Sequence, residues 1–158
     1  MKKIISIIAL VAVLAAALCA CGGSNSKTQP LSDIFAQIKN EYKITDMVEF
    51  EDISTLDKFY GITADDVDEF AGGINNSGVN QEEIVFVKAK DAEKAKAIAE
   101  KLNARLKSKL NETKNYNPEQ YAIIEKSNVD IDNLYISLII SENLDGIKKM
   151  YKEGIGVS

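Results

Sequence analysis

Glu82-Glu83-Ile84-Val85-Phe86-Val87-Lys88-Ala89-Lys90 sets the architecture. Its β-branched and aromatic residues, bounded by charge, predict a strand, and four consecutive apolar positions predict burial on both faces. Asp91 then caps a long helix to about Leu110, because Ala95, Ile98, Ala99, Leu102, Leu106 and Leu110 recur at helical spacing. Acids open that helix and Lys107 and Lys109 close it, as the macrodipole favours. Upstream, Val67 to Asn75 reads as extended, with Gly72-Gly73 weakening or bulging the strand. Ser54-Thr55-Leu56-Asp57 reads as a capping box opening a short helix that stops at Gly61, and Thr63-Ala64-Asp65-Asp66 repeats the start signal. Leu31, Ile34, Phe35, Ile38 and Tyr42 form one stripe of a helix beginning near Pro30. Downstream, Asn111 to Asn117 is a polar loop, and Asn117-Pro118 is a cap and first helical residue for a helix through Tyr121 and Ile124. Val129 to Ile131, a turn at Asp132-Asn133 and Leu134 to Ile140 predict a hairpin. Ser141 is expected to cap a last helix through Leu144, Ile147 and Tyr151 that Gly154 ends. Strands adjacent in sequence favour antiparallel pairing. The expectation is one α+β domain over residues 30–158, with helices covering one face of a mainly antiparallel sheet of about four strands.

Outside the domain, Met1-Lys2-Lys3 and the apolar run from Ile4 to Leu18, broken only by Ser6, have the layout of a secretory signal. The run is 15 residues long, at the short end for a bilayer span, which usually takes about 20. Leu18-Cys19-Ala20-Cys21 follows and resembles the lipobox of bacterial lipoproteins, in which an apolar residue at −3 and small residues at −2 and −1 precede the lipid-accepting cysteine. Cys21 fits that position; Cys19 would place bulky Leu18 next to the cut. The reading predicts a signal peptide over 1–20 and lipidation at Cys21. Acyl chains on that thiol would anchor the protein stably, since each buried methylene contributes about 0.8 kcal/mol. Residues 21–29 then form a flexible tether, whose eight residues after the cysteine reach roughly 15 Å. No cysteine remains in the domain, which excludes a disulfide there.

Composition narrows the chemistry. The chain has 24 Asp plus Glu against 19 Lys plus Arg, a balance that argues against nucleic acid, whose phosphates demand clustered cations. Histidine is absent, which removes the commonest acid/base residue at neutral pH and the commonest metal ligand. No GxSxG, Walker loop, GxGxxG or HExxH occurs.

Several motifs together carry a family resemblance: Tyr60-Gly61-Ile62 with Asp65-Asp66-Val67-Asp68-Glu69, Glu82-Glu83-Ile84-Val85-Phe86-Val87-Lys88, the helix bearing Arg105, Tyr116-Asn117-Pro118-Glu119-Gln120-Tyr121, and Leu134-Tyr135-Ile136-Ser137-Leu138-Ile139-Ile140-Ser141. From about Leu31 onward the chain resembles the lipoproteins grouped as domain of unknown function 4358, found chiefly in Clostridium-like Firmicutes. Where many members have a glycine before the final strand, this chain has Asp132-Asn133. The resemblance implies a lipoprotein and transfers no catalytic residue.

Three candidate sites stand out. Glu41 to Phe70 holds ten acids against Lys43 and Lys58. An acidic surface of this kind holds Ca²⁺ through carboxylates, yet Asp66-Val67-Asp68 lacks the remaining ligands of a calcium loop, and helix caps with a solvated face account for the acids as well. Lys88 to Lys114 holds nine cations against four acids, either a face for anionic lipid headgroups or an acidic partner, or an ordinary helix with i,i+4 pairs. Asp130 with Asp132 suggests paired carboxylates for glycoside chemistry, against an exposed strand face alternating about Ile131. No catalytic, cofactor or metal residue is assigned. The expectation is a non-enzymatic lipoprotein held at the extracytoplasmic face of the cell membrane by lipid on Cys21, binding or scaffolding another envelope component. The alternative is a small-ligand-binding lipoprotein accessory to a transporter, which needs a pocket of about 300–1,000 Å³.

Overall fold

The computed structural model describes residues 28–157. The predicted signal peptide, Cys21 and the tether up to Lys27 lie outside the described residues, as does Ser158. The described elements are α1 (Leu31–Tyr42), β1 (Met47–Glu49), α2 (Ile53–Tyr60), β2 (Val67–Asn75), β3 (Glu83–Ala89), α3 (Ala92–Thr113), α4 (Pro118–Glu125), β4 (Val129–Asp132), β5 (Tyr135–Ile140) and α5 (Leu144–Gly154). The class is α+β. Its sheet has five strands, one more than expected, in the order β1-β2-β3-β5-β4, and every pairing is antiparallel. The short β1 is the added strand, too brief at three residues to show a period.

Helices cover both faces, where one covered face was expected. The cause is the central strand pair, which presents an apolar set to each side. Val85, Val87, Ile136, Leu138 and Ile140 pack with Ile98, Leu102 and Leu106 of α3, Leu56 of α2 and Ile124 of α4. Ile84, Phe86 and Ile139 point the other way, against Leu31, Ile34, Phe35 and Ile38 of α1 and Ile147 and Tyr151 of α5. Phe86 stacks on Tyr151 with ring centroids 4.4 Å apart and meets the edge of Phe35. Burying a large apolar side chain contributes about 1.5–3 kcal/mol, so neither face of β3 is left to solvent. Helix α1 approaches α5 closely at two glycines: a Cβ on Gly154 would lie 2.6 Å from Ile34, and one on Gly146 would lie 2.0 Å from the Tyr42 hydroxyl. Gly154 is thus the last helical residue and a packing notch, and Gly156 beyond it takes the positive φ.

Local signals shift by small amounts. Asp52, not Ser54, caps α2, its carboxylate accepting from the Ser54 N–H at 2.8 Å, and Gly61 ends the helix in the left-handed region. The Thr63–Asp66 signal makes one of its two capping bonds, with Asp66 Oδ2 accepting from the Thr63 N–H, while the Asp66 N–H turns to the Thr63 carbonyl and the chain runs straight into β2. The bulge in β2 falls at Val67–Glu69. Gly72-Gly73 stays in register and admits close neighbours instead: a Cβ on Gly72 would lie 2.0 Å from the Ile84 carbonyl oxygen and 2.8 Å from the Phe50 ring. Helix α3 runs three residues past Leu110. The hairpin turn is Asn133-Leu134, with Asn133 at φ 58°. Asn143 precedes α5, and Ser141 sits two residues earlier.

The elements define two poles. At one, the Gln29 N–H bonds the Gly154 carbonyl, and the carboxylate of Glu69 accepts from Leu31 at the start of α1. At the other lie Asn75, Glu83 and Ile140 at the strand ends, the C-terminal end of α1 and the start of α5. At about 3.3 Å per residue, the seven residues of β3 separate the poles by roughly 20 Å.

Candidate functional site

The acidic and basic segments meet each other. Asp66 lies in the loop before β2 and receives Lys94 Nζ at 2.9 Å and Lys101 Nζ at 3.3 Å, both from α3. The Lys94 ammonium and the Thr63 N–H hold the Asp66 carboxyl well below the usual carboxylate range. Lys101 also donates to the Gly61 carbonyl and Lys90 to the Ala64 carbonyl, so the basic residues staple the α2–β2 connection. Asp52 is a cap, Glu49 pairs with Lys39, and Glu69 serves α1. Asp66 is buried among lysines and Asp68 is exposed, so the motif singled out for calcium does not converge. The i,i+4 pairs expected along α3 do not form among the described residues; its cations reach across to loops and strands. Lys96, Lys107 and Lys114 stay exposed without an ion pair there, too few for a continuous cationic face. Asp130 and Asp132 turn toward α5, where Lys148 lies 2.7 Å from Asp130 and Lys152 3.8 Å from Asp132. Ile131 is the residue left outside, 48% exposed, the reverse of the expected alternation.

Sequence reasoning missed the buried charge at the start of β3. Glu83 alternates with Val85 and Val87 on the face that α3 covers, and is fully buried. Arg105 Nε and Nη2 donate to its carboxylate at 3.0–3.3 Å, Lys109 Nζ lies 2.9 Å from Oε2, and the Tyr60 hydroxyl donates to Oε1 at 3.0 Å. Burial opposes the charge on Glu83, but the Lys109 and Arg105 cations override it and hold the carboxyl below its ordinary value. Burial pushes Lys109 down, with Glu83 restraining it, and keeps Tyr60 protonated as a donor. The signal was available: Arg105 and Lys109 stand four apart on the stripe-flanking face of α3, the spacing that serves one acceptor.

This cluster organises the pole beside it. Lys109 Nζ also donates to the Gln81 carbonyl at 2.9 Å, and the Gln81 N–H donates to Gln120 Oε1 of α4 at 2.7 Å. The return of the β2–β3 loop is therefore held on both sides. Next to it, Glu82 accepts the Ser141 hydroxyl at 2.6 Å, and Ser141 Oγ accepts from the Asn143 N–H at 3.2 Å, which joins the β3 start to the β5–α5 turn.

Between these anchors and the end of α1 runs a groove with two adjoining lobes of about 270 and 660 Å³. Tyr42, Ile123, Ser141, Glu142 and Asn143 line both. Asp46, Asn75, Asn80, Glu82 and Gln120 line the first, and Lys126 and Asp145 the second. Three of its amides are oriented by the backbone. Ser77 N–H donates to Asn75 Oδ1 at 2.9 Å, Glu82 N–H to Asn80 Oδ1 at 2.8 Å, and Gln81 N–H to Gln120 Oε1. An N–H requires an oxygen opposite, so each amide must keep its NH₂ as the remaining group, and none of the three NH₂ groups has a partner among the described residues. Beyond the groove at the same pole, Val79 and Tyr116 stand 69% and 90% exposed. Of the candidate-site segments, only Asp46 and its neighbours reach this groove; Glu82, Gln120 and Ser141 stood in the resemblance motifs with no role attached, and Asn75 and Asn80 carried no motif.

No helix among the described residues is long and apolar enough to cross a membrane. No curated protein and no solved structure matches the chain significantly. The family model described as domain of unknown function (DUF4358) matches residues 40–141, a span that takes in the whole sheet, the Tyr60-Glu83-Arg105-Lys109 cluster and the anchored amides, and the chain belongs to that family.

Proposed function

We propose that this protein is a lipoprotein held at the extracytoplasmic face of the cell membrane by lipid on Cys21, and that its domain binds or scaffolds another envelope component without catalysing a reaction. The positive start, the apolar run and Leu18-Cys19-Ala20-Cys21 support the address. The observation that carries the binding reading is polarity along the sheet. The chain enters the domain at Thr28–Pro30 beside Glu69 and Gly154, whereas the groove, Val79 and Tyr116 lie at the opposite pole. An anchor at Cys21 would thus attach at the pole opposite the groove and leave the groove open to the envelope. The Ser141 hydroxyl orders a turn and Glu82 receives it, and among the described residues no third group completes a nucleophile and base with them.

The second reading, a small-ligand-binding lipoprotein accessory to a transporter, is favoured by one observation. The larger lobe, about 660 Å³, falls inside the range of small-molecule sites.

Mass spectrometry of the protein from membranes tests the address: the first residue is expected to be Cys21 carrying acyl chains, and Cys21→Ser to release the chain from the membrane fraction. An unacylated protein with residues upstream of Cys21 intact would overturn it. A photo-crosslinking side chain at Tyr116 is expected to capture one protein reproducibly in cells, whereas one at Asp65, on the opposite pole, is not. Capture from neither position, together with a small molecule co-purifying in the groove, would favour the second reading.

A further inference from the structure

We infer that the groove is a binding site for an uncharged oligosaccharide, a deepening that rests on the binding reading above. The argument starts from the donors. Asn75, Asn80 and Gln120 each have their oxygen tied to a backbone N–H and all three line the smaller lobe, so three NH₂ groups are left as donors on its lining residues. Acceptors share the same lobe: Glu82 uses one oxygen for Ser141 and keeps the other, and Asp46 lines it too. A ligand matching donors and acceptors mixed in one lobe must carry groups that both give and receive hydrogen bonds. Vicinal hydroxyls do this, because each is one donor and two acceptors.

Charge excludes the main competitors. Asp46, Glu82, Glu142 and Asp145 outnumber Lys43 and Lys126 around the two lobes, so a phosphate or carboxylate ligand would meet repulsion. A peptide would rely on apolar pockets or on an open strand edge. The smaller lobe is mainly polar, the larger adds Leu144 to the Tyr42 and Ile123 that both share, and the groove lies across the strand ends, where no strand of the sheet offers its length for pairing. The two lobes, about 270 and 660 Å³, adjoin through shared lining residues and leave room for more than one sugar unit. The Glu83 cluster supports the site from behind, since Lys109 fixes Gln81 and Gln81 fixes Gln120.

The test uses calorimetry on the full chain in a detergent without sugar headgroups. The probes are chitotetraose, cellotetraose and maltotetraose, with inorganic phosphate and a lysine-rich peptide as charged comparisons. At least one tetrasaccharide is expected to bind, and neither charged probe. Gln120→Glu, Asn80→Asp and Asn75→Asp keep the oxygen that receives the backbone N–H and replace only the NH₂ donor, so the loops hold while affinity falls tenfold or more for each. Lys107→Ala, outside the groove, is expected to leave affinity unchanged. Failure of all three tetrasaccharides, indifference of binding to the three isosteric changes, or preference for a charged probe would each overturn the assignment. If sugars fail while Tyr116 still crosslinks one protein, the ligand class falls and the binding reading stands.

Discussion

Replacing Glu83 by Gln removes one negative charge from a buried set that holds two cations. In the wild type the carboxylate receives Arg105, Lys109 and Tyr60, and Lys109 is only 3% exposed with the Gln81 carbonyl as its other partner. The amide can still accept from Tyr60, but it cannot neutralise either cation, and its NH₂ faces them. Removing one partner of a buried ion pair costs about 3–5 kcal/mol, mostly because the other partner stays buried and uncompensated. The chain from Thr28 carries both core clusters of the described residues and suits the assay. For a domain of this size each kcal/mol lowers the melting temperature by about 3–5 °C, so Glu83→Gln should melt roughly 10–20 °C earlier. Urea titration followed by far-UV circular dichroism measures the same loss as a lower midpoint with an unchanged slope. A second variant separates charge from packing. Combining Glu83→Leu, Arg105→Leu, Lys109→Met and Tyr60→Phe removes every charge and donor together, and should regain most of the loss, because well-packed apolar replacements of buried ion clusters are often neutral or better. A Glu83→Gln loss under about 1 kcal/mol, or a combined variant no more stable than the single one, would refute the reasoning.

Four further outcomes follow from the same geometry. Glu83 and Asp66 both have carboxyls held below their ordinary values, so their contribution to stability is complete above the unfolded carboxyl range near pH 4 and disappears as pH falls below it. Urea midpoints measured from pH 5 to pH 2 should drop steeply below pH 4, and Asp66→Asn should flatten that drop. Gly72→Ala should cost about 3 kcal/mol or more, since the methyl group would strike the Ile84 carbonyl at φ 148°, whereas Gly61→Ala, at φ 66° with open space around it, should cost about 1 kcal/mol in the same urea assay. Asn133→Ala removes a residue tolerant of φ 58° from the β4–β5 turn and should cost about 1 kcal/mol, with Asn133→Gly close to wild type by melting. Cys19→Ser should leave acylation intact by mass spectrometry, because the thiol assigned to lipid is two residues later.

What the sequence determined by itself was local. The run Ile84 to Val87 made a strand because four apolar residues in succession satisfy a sheet buried on both sides, and Asp91, Asn117 and Gly61 punctuated helices because their own backbone or side-chain geometry does so. Those signals act within four residues and need no distant partner. The errors were of the same kind in reverse. Asp52 instead of Ser54, and the Thr63 signal that leads into a strand, show local capping bonds yielding to where the chain must go next. The second covered face, the pairing of Asp66 with α3, the inward turn of Asp130 and Asp132, and the Glu83 cluster were decided only by tertiary structure. Each depends on which of two faces a residue presents and on what lies there, and a charge counts as surface or core only once its partner, dozens of residues away, has been brought within about 3 Å. The groove is the extreme case: Asn75, Asn80 and Gln120 are ordinary polar residues until the backbone takes their oxygens and the fold gathers them into the lining of one hollow.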